Sequence, residues 1–184
     1  EAVERLAPGS VLYLPIWVRK GSDQTPLEHT QRLRSFLFAA LGITVARLFD
    51  QRRLLFFENG ITSFNLPVAE HVIGTRASRT THPRTLKGME RLVELLLEQP
   101  FKIDNPYLWQ TKAQVVGRLR SRECESLVSK TTSCAQVRQL SIDGRQCGVC
   151  SQCVERRFAL LAADMGDTEL PHTYSVDLFD GPYV

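Results

Sequence analysis

Four cysteines restrict this chain more than any other feature. Cys134 is followed, after 12 residues, by Cys147-Gly148-Val149-Cys150-Ser151-Gln152-Cys153, so the last three thiols stand two residues apart. A thiolate set this small fits one tetrahedral ion, most simply zinc held by four sulfurs. Gly148 permits the tight turn that brings Cys147 and Cys150 to one centre. Cys150 and Cys153 are three apart and share one side of a helix starting there. Consecutive two-residue gaps also occur in iron–sulfur runs, and disulfides or plain buried thiols complete the alternatives. Disulfides are disfavoured by the five cysteines, by the lack of a signal-peptide pattern and by a chain too large to be a coreless scaffold. The fifth thiol, Cys124, reads as a small buried hydrophobe. Four thiolates leave no open position for water, so an ion here is structural and fixes the final helix.

At 184 residues the chain reads as a single α/β domain over 1–184, with the cysteine subregion at 130–163. No apolar run approaches the roughly 20 residues of a membrane span, and the cysteine usage points to the cytoplasm. The net charge of +3 is too small to argue nucleic-acid binding by itself. Its distribution says more: residues 74–87 hold Arg76, Arg79, Arg84 and Lys87 with no acid, a local positive patch.

Strands alternate with helices along the chain, the pattern of a three-layer α/β domain. Residues 11–18 read as a buried strand with Pro15 at an edge or bulge. Thr25, Pro26 and Glu28 open a helix that runs to about residue 41, with Gly42 as its left-handed end. Residues 54–57 (LLFF) read as a strand buried on both faces. That strand ends at Glu58-Asn59-Gly60, the position where open α/β sheets bind ligands. A helical stretch interrupted by Pro67 follows over 61–73. A second clear helix spans about 85–99, with Leu86, Met89, Leu92, Val93, Leu96 and Leu97 on its apolar face. A short strand follows at 101–103, and Tyr107 and Trp109 read as packing residues. Thr111 and Gln114 form a capping box for a helix to about Arg120. The last helix covers about 150–163, and the tail is irregular.

Taken together, Thr132-Ser133-Cys134, the Cys147-Gly148-x-Cys150-x-x-Cys153 run and Arg156-Arg157 resemble the 7-cyano-7-deazaguanine synthase family of PP-loop ATP pyrophosphatases. The resemblance covers roughly 61–163. Thr111-Lys112-Ala113-Gln114-Val115-Val116 is similar to the family's Thr-Lys-Ala-Glu-Ile-Val stretch, and Asn59 falls where the family keeps an active-site asparagine. The resemblance implies an adenine-nucleotide-hydrolase-like parallel sheet with a zinc-bound helical knob. It also implies a structural Zn2+ on the four cysteines, and ATP with Mg2+ as cosubstrate and metal. The reaction implied is adenylation of a 7-deazaguanine-type carboxylic acid, then attack by ammonia or another amine, in the setting of queuosine biosynthesis. Two departures matter. The Ser-Gly-Gly-x-Asp-Ser nucleotide loop is not in this sequence, which reads as the carboxyl-terminal part of a longer enzyme. The family's Tyr-Pro-Asp-Cys-Arg-like substrate loop is replaced by Arg79-Thr80-Thr81-His82-Pro83-Arg84, a variant similar to homologues among bacterial antiviral defence genes.

In such a reaction an anionic carboxylate approaches an anionic phosphate, so fixed cations lower the barrier. Arg76, Arg79 and Arg84 suit that task through bidentate pairing, and Lys112 suits an anion held at a helix start. Thr80, Thr81 and Asn59 can hydrogen-bond a base edge or carboxylate, and Glu58 can act as a base, a magnesium ligand or a cap. The catalytic candidates are Arg79, His82 and Lys112; the substrate and nucleotide candidates are Glu58, Asn59, Arg76, Thr80, Thr81 and Arg84. Arg156 and Arg157 are expected to cover the metal knob or pair with acids. Two other readings remain open: a zinc-bearing basic module that binds nucleic acid, and a non-catalytic scaffold docked in a larger complex. A homodimer is compatible with either class.

Overall fold

Local chemistry explains where each element starts. The computed structural model describes residues 9–18, 34–64, 81–135, 145–170 and 172–177. Helix α1 (Arg34–Leu48) leads to strand β1 (Arg53–Leu55) and the one-turn helix α2 (Gly60–Phe64), which Asn59 caps through Oδ1 on the Thr62 N–H at 3.1 Å. Helix α3 (Pro83–Leu97) has proline at its first position and ends where Glu98 turns left-handed at φ 52°. Strand β2 (Lys102–Asp104) lies parallel to β1, with Arg53, Leu54 and Leu55 opposite Lys102, Ile103 and Asp104. Parallel neighbours need a crossover, and α2 and α3 lie within it. Leu86 and Val93 of α3, Ala46 of α1, Phe101 and Ile103 form one apolar core, flanked by Ile43, Leu54, Phe56, Met89 and Leu97.

The cysteine region follows. Helix α4 (Lys112–Arg120) opens with a full capping box: Thr111 accepts from the Gln114 N–H, and Gln114 accepts from the Thr111 N–H. A 3-10 turn (Glu125–Lys130), helix α5 (Ser151–Ala162) and a second 3-10 turn (Gly166–Thr168) complete it. Its apolar core is small: Val128, Leu160 and Met165, with Val116, Leu119 and Ala163 against them. Residues Gln146 and Tyr174 form an isolated parallel bridge that draws the tail alongside the cysteine run.

Several sequence expectations change here. Residues 11–18 form no strand, and Trp17 is 92% exposed. Apolar composition cannot make a strand without a partner edge, and Pro15 lacks the donor a ladder requires. Gly42 does not end its helix, which continues to Leu48. A Cβ at position 42 would lie 2.7 Å from Leu54 Cδ1, so the glycine serves close approach of α1 to β1 and not a cap. The 54–57 run is half-buried, with Phe57 exposed, because the described sheet has only two strands. Helix α3 begins at Pro83, ahead of the expected Thr85, and leaves Leu92 and Leu96 exposed. Trp109 is 83% exposed, its ring tilted against Phe64 with 5.5 Å between centroids. Cys124 is half-buried and heads a 3-10 turn. The expected helix start at 25 and the Pro67 break lie outside the described residues. Among the described residues no helix is long and apolar enough to cross a membrane.

Candidate functional site

Both strands end in a shared hydrogen-bonded cluster. Glu58 follows β1, and its carboxylate accepts from Thr81 Oγ1 at 2.9 Å while its carbonyl accepts from Asn105 Nδ2 at 2.8 Å. Asn105 follows β2 and also reaches Ser63 Oγ of α2 at 2.9 Å; Thr81 Oγ1 lies 3.2 Å from the same hydroxyl. Ser63, Thr81 and Asn105 are all buried. Satisfied buried polar groups hold a unique geometry, because each partner lost would strand another. The cluster therefore ties two strand ends, α2 and the entry to α3 at one place. The Gly60 N–H donates to the Gln110 carbonyl at 2.8 Å and so brings the start of α4 to the same edge.

Around this cluster stand the other described candidates. His82 is the cap of α3: its Nδ1 accepts from the Arg84 N–H at 3.2 Å, and its ring meets Phe64 edge-on at 5.9 Å. Arg84 is exposed, with no side-chain partner among the described residues. Asn59 spends its side chain on capping α2, with Nδ2 also 3.0 Å from Thr62 Oγ1. Lys112 pairs with Glu155 of α5 at 3.1 Å. Glu58, Asn59, Thr81 and His82 are thus assembled beside the strand ends, and Lys112 has an ion-pair partner elsewhere. Arg76, Arg79 and Thr80 lie outside the described residues. Sequence reasoning missed Ser63 and Asn105; the one available signal was an Asn-Pro pair just past an apolar run.

The second site is the cysteine set. The Sγ atoms of Cys134, Cys147, Cys150 and Cys153 all lie within 4.8 Å of one another, and all five cysteines of the chain are free thiols. Cys150 and Cys153 are 3.4 Å apart, and Cys147 and Cys153 3.9 Å. Sulfurs about 2.3 Å from a tetrahedral ion stand about 3.8 Å apart, so the donors match one mononuclear centre. A multinuclear cluster must fit inside its ligands and would spread them farther. Gly148, at φ 82°, makes the turn, and a Cβ there would fall 1.9 Å from the Val176 carbonyl. N–H groups point at the sulfurs: Cys150 at Cys147 (3.3 Å) and Ala135 at Cys150 (3.4 Å).

Electrostatics supports a cation at this centre. Burial opposes ionisation of Cys150, but the N–H groups of Ala135 and Cys153 and hydrogen bonds from Cys153 and Cys147 bring the thiol down to about 6. Burial pushes the Cys153 thiol up, and hydrogen bonding with Cys150, Cys134 and Cys147 adds to it. One thiolate is comfortable there alone; four adjacent negative charges need a cation among them. The start of α5 points its free N–H groups toward the same charge.

Arg156 and Arg157 pair with acids and hydrogen-bond acceptors as expected. The buried Arg156 donates to Glu169 Oε1 (2.8 Å), the Val128 carbonyl (2.8 Å) and Thr131 Oγ1 (2.7 Å). Arg157 pairs with Asp177 and lies over the Tyr174 ring at 4.9 Å.

Comparison with known proteins places this stretch. The family model described as "Queuosine biosynthesis protein QueC" matches residues 80–164. Curated proteins named 7-cyano-7-deazaguanine synthase from two strains of Caulobacter vibrioides (NA1000 / CB15N and ATCC 19089 / CIP 103742 / CB 15) are each 33% identical over 91 residues. The match covers 46% of this chain and 38% of each relative's length. No solved structure matches.

Proposed function

Starting from residues 80–164 being a QueC-like stretch, we propose that the chain is part of an ATP-dependent synthase acting on a 7-deazaguanine-type carboxylic acid. A carboxylate oxygen attacks the α-phosphorus of ATP, the α–β phosphoanhydride breaks, and pyrophosphate leaves. Ammonia or another amine then attacks the acyl carbon and AMP departs. The single observation that carries this reading is the family match coinciding with four sulfurs gathered within 4.8 Å.

In this reading Cys134, Cys147, Cys150 and Cys153 hold a structural zinc, which supplies cross-linking and no open coordination site. Arg76, Arg79 and Thr80, outside the described residues, would grip phosphate or carboxylate together with Arg84. Thr81 and Glu58 would face the substrate from the strand-end cluster, and Asn59 and His82 would set the backbone turns around it. Lys112 acts by joining α4 to α5 through Glu155 and so is a positioning residue. ATP would bring Mg2+ to offset phosphate charge. The sheet would extend to three layers beyond the two strands described.

The test is pyrophosphate release from ATP by the protein, with and without a 7-deazaguanine carboxylic acid. Release that requires the acid supports the synthase. Metal-replete full-length protein, nucleotide loop included, that releases none with any such acid overturns the enzyme in favour of the scaffold reading.

A further inference from the structure

Hydrogen bonds in the strand-end cluster have a direction, set by which groups have a hydrogen to give. The Asn105 amide is buried and cannot be turned over: Oδ1 accepts the Tyr107 N–H at 3.1 Å while Nδ2 donates to the Glu58 carbonyl at 2.8 Å. The second Nδ2 hydrogen goes to Ser63 Oγ at 2.9 Å, so Ser63 accepts there. A hydroxyl has one hydrogen of its own to give. For Ser63 the remaining acceptor among the described residues is Thr81 Oγ1, at 3.2 Å. The Thr81 hydrogen then goes to Glu58 Oε2 at 2.9 Å, because a carboxylate can only accept. Donation therefore runs one way, from Asn105 through Ser63 and Thr81 to Glu58. Ser63 is 0% exposed and Thr81 2%, so the chain is shielded from bulk water.

The chain stops at a group that can still accept. Glu58 is half-buried, and its Oε1 keeps contact with solvent and has no protein donor among the described residues. A carboxylate oriented by a fixed donor on one oxygen and open on the other is arranged to receive a proton. We propose that Glu58 is the base that takes the proton of the attacking amine, and that Thr81, Ser63 and Asn105 are positioning residues acting through it. This assignment rests on the synthase reading. The amine nitrogen bonds to the acyl carbon, an N–H proton passes to Glu58 Oε1, and the bond from that carbon to the phosphate oxygen breaks, its electron pair leaving with AMP. Adenylation needs no such base, because the attacking carboxylate carries no proton. The two halves of the reaction should therefore respond differently to loss of Glu58.

The test follows single turnovers of metal-replete full-length protein, nucleotide loop included, with ATP, a 7-deazaguanine carboxylic acid and ammonium chloride. In Glu58→Gln, pyrophosphate should appear within about threefold of the wild-type rate while amide formation slows at least about hundredfold. Thr81→Val keeps the shape and loses the hydroxyl, and Ser63→Ala breaks the chain one step earlier; each should slow amide formation at least about tenfold and spare pyrophosphate release. Thr81→Ser returns the hydroxyl and should bring amide formation back to within about threefold of wild type. Wild type that releases no pyrophosphate overturns the synthase reading and this assignment with it. Wild type that turns over, with Glu58→Gln either forming amide at the normal rate or losing both steps together, overturns the assignment alone. Amide formation at the wild-type rate in Thr81→Val overturns the positioning roles. Where a variant at the buried positions fails to fold, Glu58→Gln decides, since its position is half-buried and its pyrophosphate release reports an intact site.

Discussion

The core over β2 and the core under α5 differ in what fills them. Around β2, Ala46, Leu86, Val93, Phe101 and Ile103 interlock with five further apolar neighbours, and one buried carboxylate, Glu90, serves the strand edge. Around α5 the buried apolar residues are Val128, Ala159, Leu160 and Met165, and beside them are buried the sulfurs of Cys134 and Cys153, the Arg156 guanidinium and the Gln146 amide. Burial of an aliphatic side chain contributes about 1.5–3 kcal/mol, so the first region can be held largely by area. The second has too little area and depends on directional ties: four thiols, and Arg156 bonded both to the Glu125–Lys130 turn, through Val128 and Thr131, and to Glu169. In a region held by area one truncation costs about 2–5 kcal/mol, spread over neighbours that relax in part. A region held by ties has no such relaxation, because each broken tie leaves a buried polar partner.

The largest expected effect follows from the thiols. Cys153→Ser, or a strong chelator, should unfold the cysteine region while helix α3 and strand β2 keep their protection in amide exchange. Metal analysis should return about one zinc per chain before and none after. Loss of protection in both regions together would erase the contrast.

Arg156→Met comes next. It leaves Glu169 buried without its cation and should cost about 3–5 kcal/mol in urea unfolding of the metal-loaded protein. Arg156→Met with Glu169→Leu should recover much of that loss. If the double variant is as unstable as the single, packing and not the ion pair holds this region.

The smallest effect lies in the sheet region. Burial opposes ionisation of Glu90, but the Lys87 hydrogen bond, the Ile103 N–H at 3.0 Å and the Lys102 charge outweigh it and hold the carboxyl below its ordinary 4.5. A depressed acid contributes stability above its unfolded value, and that stability is lost as pH falls below 4.5 through the lower folded value. Glu90→Gln should therefore cost about 1–3 kcal/mol at pH 7 and progressively less in acid. An equal deficit at neutral pH and about pH 3 would remove the charge from the account.

What could be read in advance divides along the same line. The Thr111–Gln114 capping box, the parallel α/β character and the gathering of the cysteines are written in local spacing, and they are found. Residues 11–18 misled because an apolar run says nothing of whether a partner edge exists. Gly42 misled because a cap and a close approach need the same residue, and only Leu54, twelve positions on, decides between them. His82 caps a helix that starts at Pro83, two residues ahead of the start expected near Thr85. Ser63, Asn105 and Glu169 were invisible because their partners come from distant parts of the chain.

The pairing of Gln146 with Tyr174, with the Val176 carbonyl seated in the notch at Gly148, has a practical consequence for anyone shortening the protein. A chain cut after residue 170 would retain every thiol yet lose the clasp that closes over the elbow between them. Its sulfurs would then be floppy donors, ready to oxidise or to take the wrong ion, and a colourless, well-behaved sample would be the first casualty.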